Sequence, residues 1–124
     1  MIKYIVFCVT LVICLVKAVV LNPHIIVPNE STVWKAGGTF DVKWDTIVYG
    51  SPIAPEVNGT IKLGYLDGTD INEHLFWTLA SGFPLNTGSQ SVVLPTDLVT
   101  KASYIIVLMG DSGNSSPQFT IEAN

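Results

Sequence analysis

Residues 39–44 read Thr-Phe-Asp-Val-Lys-Trp. In an extended strand, successive side chains point to opposite faces, so Phe40, Val42 and Trp44 share one side and Thr39, Asp41 and Lys43 the other. Short apolar or alternating runs of this kind recur along the chain, separated by Gly, Pro, Asn and Asp, and no sustained helical period competes with them. Strands are expected at 24–28, 39–44, 60–66, 75–80, 91–94, 104–109 and 118–122. Ile61, Leu63 and Tyr65 face inward in the third of these, and Phe119 and Ile121 in the last. Residues 104–109 are apolar on both faces, as in a central strand with neighbours on either side. About seven short strands with turn residues between them predict an all-β fold, a two-sheet sandwich of immunoglobulin or fibronectin-III type. Leu98 lies six residues before Tyr104, the placing expected of a tyrosine corner, in which the phenol bonds to backbone just upstream. Residues 46–59, with Pro52 and Pro55, form the one long connection.

The N-terminus follows a different rule. Lys3 precedes an apolar stretch from Tyr4 to Val16, and Val16-Lys17-Ala18 ends it with a small residue. This is the pattern of a secretory signal over residues 1–18, and the run is shorter than the roughly 20 residues a membrane span needs. Both cysteines, Cys8 and Cys14, fall inside it. The remainder, 19–124, is therefore expected to be a single secreted domain held together without a disulfide, by a core that buries about 60% of its unfolded surface.

Charge narrows the partners. The formal net charge is −4, arginine is absent, and Lys35, Lys43, Lys62 and Lys101 are the cations beyond the leader. No basic stripe exists to track phosphates, so nucleic acid is excluded as a partner. Three sequons, at Asn29, Asn58 and Asn114, point to N-glycosylation and imply exposed segments.

Residues 110–113 spell Gly-Asp-Ser-Gly, as around the nucleophile of chymotrypsin-like proteases. A nucleophilic Ser112 would need a base and an orienting group in reach. Only His24 and His74 are available, the chain is too short for two barrels, and a sequon follows immediately. Gly110, Asp111, Gly113 and Asn114 are residues that tolerate turn conformations, so 110–117 reads as the loop between the last two strands. No catalytic residues are assigned.

Ordered along the chain are Ile26-Val27-Pro28, Thr32-Val33-Trp34-Lys35-Ala36-Gly37-Gly38, Val42-Lys43-Trp44-Asp45-Thr46, Leu79-Ala80-Ser81-Gly82, Leu94-Pro95-Thr96-Asp97-Leu98 and Gly110 through Ile121. In order and spacing these segments resemble the N-terminal domain of fungal Ser/Thr-rich, GPI-anchored wall proteins related to the yeast Kre/Knh cell-wall synthesis proteins. The resemblance spans nearly all of 24–122. It implies a secreted β-sandwich at the fungal cell surface and, for some relatives, a role in β-1,6-glucan assembly; it carries over no catalytic residue. The sequence read here stops at Asn124 without a Ser/Thr-rich stalk or apolar tail, so no stable membrane anchor is expected.

Other chemistries have weaker support. Two distant histidines give no metal-ligand spacing, and the oxygen-rich turn 67–73 lacks the regular spacing of a calcium loop; no metal or cofactor is expected. Asp41 and Asp45 flank Trp44 but read as solvent-side acids rather than a glycosidase pair. Trp44 and Trp77 are in phase with apolar neighbours and are assigned to the core. Phe76 then faces outward, and Trp34 sits in a turn before Gly37-Gly38. Trp34, Tyr49 and Phe76 are therefore the candidate sugar contacts. The expected function is non-catalytic binding or scaffolding at the cell wall or surface, with β-glucan assembly or organisation as the process served and wall polysaccharide or a surface protein as partner. The alternatives are a carbohydrate-binding module for wall glucan and a small effector-like protein that binds a partner by strand-edge or loop contacts. The oligomeric state is left open.

Overall fold

The computed structural model describes residues 22–67, 73–110 and 113–124, with the backbone alone at Glu73, His74 and Phe76. The expected signal (1–18), most of the acid-rich turn and Ser112 lie outside the described residues, as does the Phe76 side chain. Eleven strands are described: β1 (Ile25–Val27), β2 (Val33–Lys35), β3 (Thr39–Trp44), β4 (Ile47–Val48), β5 (Ser51–Pro52), β6 (Asn58–Leu66), β7 (Glu73–Pro84), β8 (Ser89–Val93), β9 (Lys101–Met109), β10 (Gly113–Ser115) and β11 (Phe119–Glu122). A single 3-10 turn, Leu85–Thr87, joins β7 to β8.

Two sheets enclose one core. The smaller has the order β1-β3-β8 and the larger β2-β11-β9-β6-β7, with β10 also pairing β9; β4 and β5 form a separate hairpin. The crossover of β8 away from β7 and the swap of the chain start from one sheet to the other make this an immunoglobulin-like sandwich. The alternation read from the sequence sets its faces. Val42 and Trp44 from β3, Ile61 and Leu63 from β6, Tyr104, Ile106 and Leu108 from β9, and Phe119 and Ile121 from β11 are all buried in the core. Ile105 and Val107, on the opposite face of β9, are also buried, as a central strand requires. Trp44 donates its indole N–H to the Leu85 carbonyl at 2.8 Å, which ties the small sheet to the turn after β7.

The tyrosine corner forms as the sequence predicts. The Tyr104 hydroxyl donates to the Val99 carbonyl at 2.6 Å, and Leu98 is buried beside it. This bond pins the β8–β9 connection to the first residues of β9.

Four features depart from the sequence reading. First, residues 33–35 are a strand, not a turn: β2 pairs in parallel with β11, Trp34 opposite Ile121. Three residues are too few for alternation to announce a strand. Second, the long connection contains the β4–β5 hairpin, with Ile47 opposite Pro52. Its two central residues, Tyr49 at φ 52° and Gly50 at φ 76°, have the left-handed backbone of a primed turn. Third, the last strand begins at Gly113, not 118. β10 runs Gly113–Ser115 against β9, Ser116 and Pro117 interrupt it, and β11 resumes the pairing. Ser116 accepts from the Ile106 N–H through Oγ at 3.0 Å and so replaces a ladder bond at the bend. The loop expected over 110–117 thereby contracts.

The fourth departure is in β7. Its twelve residues oppose the nine of β6, with register shifts that skip Phe76, Leu79 and Gly82. Each extra residue breaks strict alternation. Leu75 thus falls opposite Gly64 while Trp77 falls opposite Leu63, so the two no longer share a face as period two would have it.

Candidate functional site

The strand directions divide the sandwich into two ends. One gathers Trp44, Gly59, Leu85 and Gly88 with the β4–β5 hairpin. The other gathers Gly37, Pro95 and the starts of β9 and of the connection before it.

At this second end lies a cleft of about 280 Å³, lined by Tyr65, Trp77, Asp97, Leu98, Val99, Lys101 and Tyr104. Its construction follows from the elements. Leu98 and Tyr104, 4% and 1% exposed, form the floor, locked by the tyrosine-corner bond. Tyr65 meets the Tyr104 ring edge-on, with centroids 6.3 Å apart and planes at 83°. Lys101 holds its Nζ 4.7 Å above the Tyr65 ring, a cation–π contact. Trp77 is half-buried and packs its inner side on the core. Asp97 is exposed at the rim. Burial raises the Tyr104 phenol above its ordinary value of 10.0, and Tyr65 adds to the shift, so Tyr104 is a neutral donor at physiological pH.

Chemically the cleft combines aromatic walls, a carboxylate acceptor and an ammonium donor. Flat aromatic surface accommodates the C–H face of a sugar ring, while carboxylate and ammonium groups fix hydroxyls. Among the described residues no group of three or more His, Cys, Asp or Glu gathers to hold a metal.

The residues named from the sequence end up apart. Trp34 is 6% exposed, stacked on Phe40 at 4.9 Å with planes 4° apart and edge-on to Phe119 at 5.1 Å. Gly38 permits this: a Cβ there would stand 2.6 Å from the Phe40 ring. The reading of Trp34 as a turn residue open to sugar is corrected; it is core. Tyr49 is 81% exposed at the tip of the β4–β5 hairpin, at the end of the sandwich opposite the cleft. Phe76 stands at a bulge of β7, its side chain outside the described residues. Trp77, assigned to the core by phase, does pack against the core and in addition lines the cleft. The missed signal is the bulge, which no sequence periodicity reveals. Asp97 lies in a segment quoted above and Lys101 was named only among the cations; neither carried an assigned role.

The sequons also differ. Asn58 is exposed. Asn29 is half-buried, and its Oδ1 accepts from the Ser31 N–H at 2.9 Å within the β1–β2 turn. Asn114 is half-buried and donates its side-chain amide to the Pro23 carbonyl. Its segment is a paired strand rather than the open loop the sequon implied.

The family model of the Kre9/KNH-like N-terminal Ig-like domain matches residues 27–121. The chain belongs to this family. It is a cell-wall-related domain family and not a known catalytic one. No curated protein matches the chain significantly. Among solved structures, an uncharacterized protein from Bacillus anthracis str. Ames is similar in fold, with a TM-score of 0.52 at 20% identity over 82% of this chain and 85% of that one. No helix among the described residues is long and apolar enough to cross a membrane.

Proposed function

We propose that this Kre9/KNH-like domain is a secreted, non-catalytic binding domain of the fungal cell wall that holds wall polysaccharide in the cleft at its tyrosine corner. One observation carries the reading: Tyr65 and Trp77 flank a half-open cleft whose rim bears the Asp97 carboxylate and the Lys101 ammonium. The floor beneath is rigid, since Tyr104 is fixed to Val99, so the site is preorganised and little entropy is lost on binding. β-Glucan is the polymer to which the family relationship points.

Binding of a partner protein by strand addition has less support. The β7 edge is broken by three register shifts. On β8, Gly88 and Leu94 bond to β3, so Ser89 and Ser91 turn their carbonyls outward. Those carbonyls already accept from Thr87 Oγ1 at 3.1 Å and Gln90 Nε2 at 3.0 Å. Edges treated in this way resist adding a strand. A loop-mediated contact through the exposed Ile47 and Tyr49 of the hairpin is the form of that reading the structure favours.

The test is co-sedimentation of the secreted, glycosylated protein with insoluble β-1,3-glucan, β-1,6-glucan and chitin. The wild-type protein is expected to pellet selectively with a glucan, Asp97→Ala to stay in the supernatant while remaining folded, and Tyr49→Ala to pellet as wild type. Failure to pellet with any polymer refutes polysaccharide binding; loss on Tyr49→Ala alone moves the site to the hairpin.

A further inference from the structure

Resting on the reading of the cleft as a polysaccharide site, we infer that it seats a single terminal pyranose ring of a wall glucan rather than a run of rings along the chain. Three observations converge. The cleft holds about 280 Å³, just below the range of roughly 300–1,000 Å³ that drug-sized ligands occupy, which is room for one ring and little more. Its floor is closed by the buried Leu98 and Tyr104, so a ring enters from the rim and stops there. Its charged groups are also few and local: Asp97 and Lys101 lie four positions apart, either side of Val99, on the one segment fastened by the Tyr104 bond. Within one small cleft, the carboxylate can accept from a ring hydroxyl and the ammonium can donate to one.

Among the described residues, the one large exposed aromatic, Tyr49, sits at the other end of the sandwich and does not extend this subsite. A terminal-ring site makes the domain a reader of glucan ends or branch tips, with affinity set by the number of ends and not by polymer length.

Calorimetric titration of the intact secreted protein with linear gluco-oligosaccharides from the monosaccharide to the hexasaccharide, in β-1,3- and β-1,6-linked series, tests this. The expected result is one site whose affinity changes less than about twofold beyond the disaccharide, whereas a groove seating successive rings gains about tenfold for every 1.4 kcal/mol a further ring contributes. Asp97→Asn, at an exposed position that leaves the fold intact, is expected to weaken every member of the series by the same factor. A steady rise in affinity with length, or binding of polymer with no binding of any oligosaccharide, overturns the terminal-ring inference while leaving polysaccharide binding standing. Binding of neither oligosaccharide nor polymer overturns the underlying reading itself.

Discussion

Two tryptophans stand on strands at opposite edges of the same sheet, Trp34 on β2 and Trp77 on β7, and their surroundings differ in kind. Trp34 lies on a three-residue strand in unbroken parallel register with β11 and is sealed between Phe40 and Phe119. Trp77 lies on a strand whose register shifts three times, and it stays half-buried beside a cleft. A regular edge delivers its aromatic to the core; a bulged edge bends the strand and leaves its aromatic at the boundary. Irregular pairing here does what loops do elsewhere, leaving a side chain at the wall of a cleft.

The largest effect expected from this contrast is on stability. Trp34→Ala should cost about 3–5 kcal/mol, as for aromatic truncations in well-packed cores, and abolish binding only by unfolding. Trp77→Ala should cost a smaller ~1–2 kcal/mol, in keeping with partial burial, yet weaken glucan binding about thirty-fold in the folded protein, the effect of removing a binding hot spot. Urea denaturation of both variants beside a pelleting assay separates the two. Equal stability losses would erase the distinction between the edges.

Tyr104 supplies the next prediction in size. Tyr104→Phe leaves the Val99 carbonyl without its donor and should cost about 1 kcal/mol, loosening the cleft floor. The phenol also gives the protein a basic limit. Its folded pKa is raised by burial, so the stabilisation is fully present below the unfolded value of 10.0 and is lost as pH rises from there toward the folded pKa. Urea midpoints between pH 9 and 11 should fall in the wild type and fall less in Tyr104→Phe.

The smallest effect belongs to the far end. Tyr49 holds φ 52°, a backbone that a bulky L-residue adopts at a cost of about 1 kcal/mol or more and that Asn tolerates. Tyr49→Asn should raise stability by up to about 1 kcal/mol, read as a higher melting temperature, and leave glucan pelleting unchanged.

What the sequence disclosed follows from the same contrast. Alternation told the truth within β3, β6 and β11, which present the residues read as inward, and Leu98 with Tyr104 announced the corner bond. In the bulged β7, alternation misled. It put Trp77 in phase with Leu75, although a skipped residue separates their registers. It was also blind to β2, whose partner β11 lies more than eighty residues away along the chain. The cleft was hard to read for that reason: one wall, Trp77, comes from the bulged β7 and part of the rim, Asp97, from a connection, and neither carries a period.

The measurement that most directly tests the central claim uses the three tryptophans of the chain. Their indole N–H signals are followed by heteronuclear NMR while a soluble gluco-oligosaccharide is titrated into the folded protein. The account predicts that the Trp77 signal moves to saturation while those of Trp34 and Trp44, both buried in the core, hold still. Saturable binding that leaves Trp77 unmoved and shifts the Tyr49 amide would contradict it.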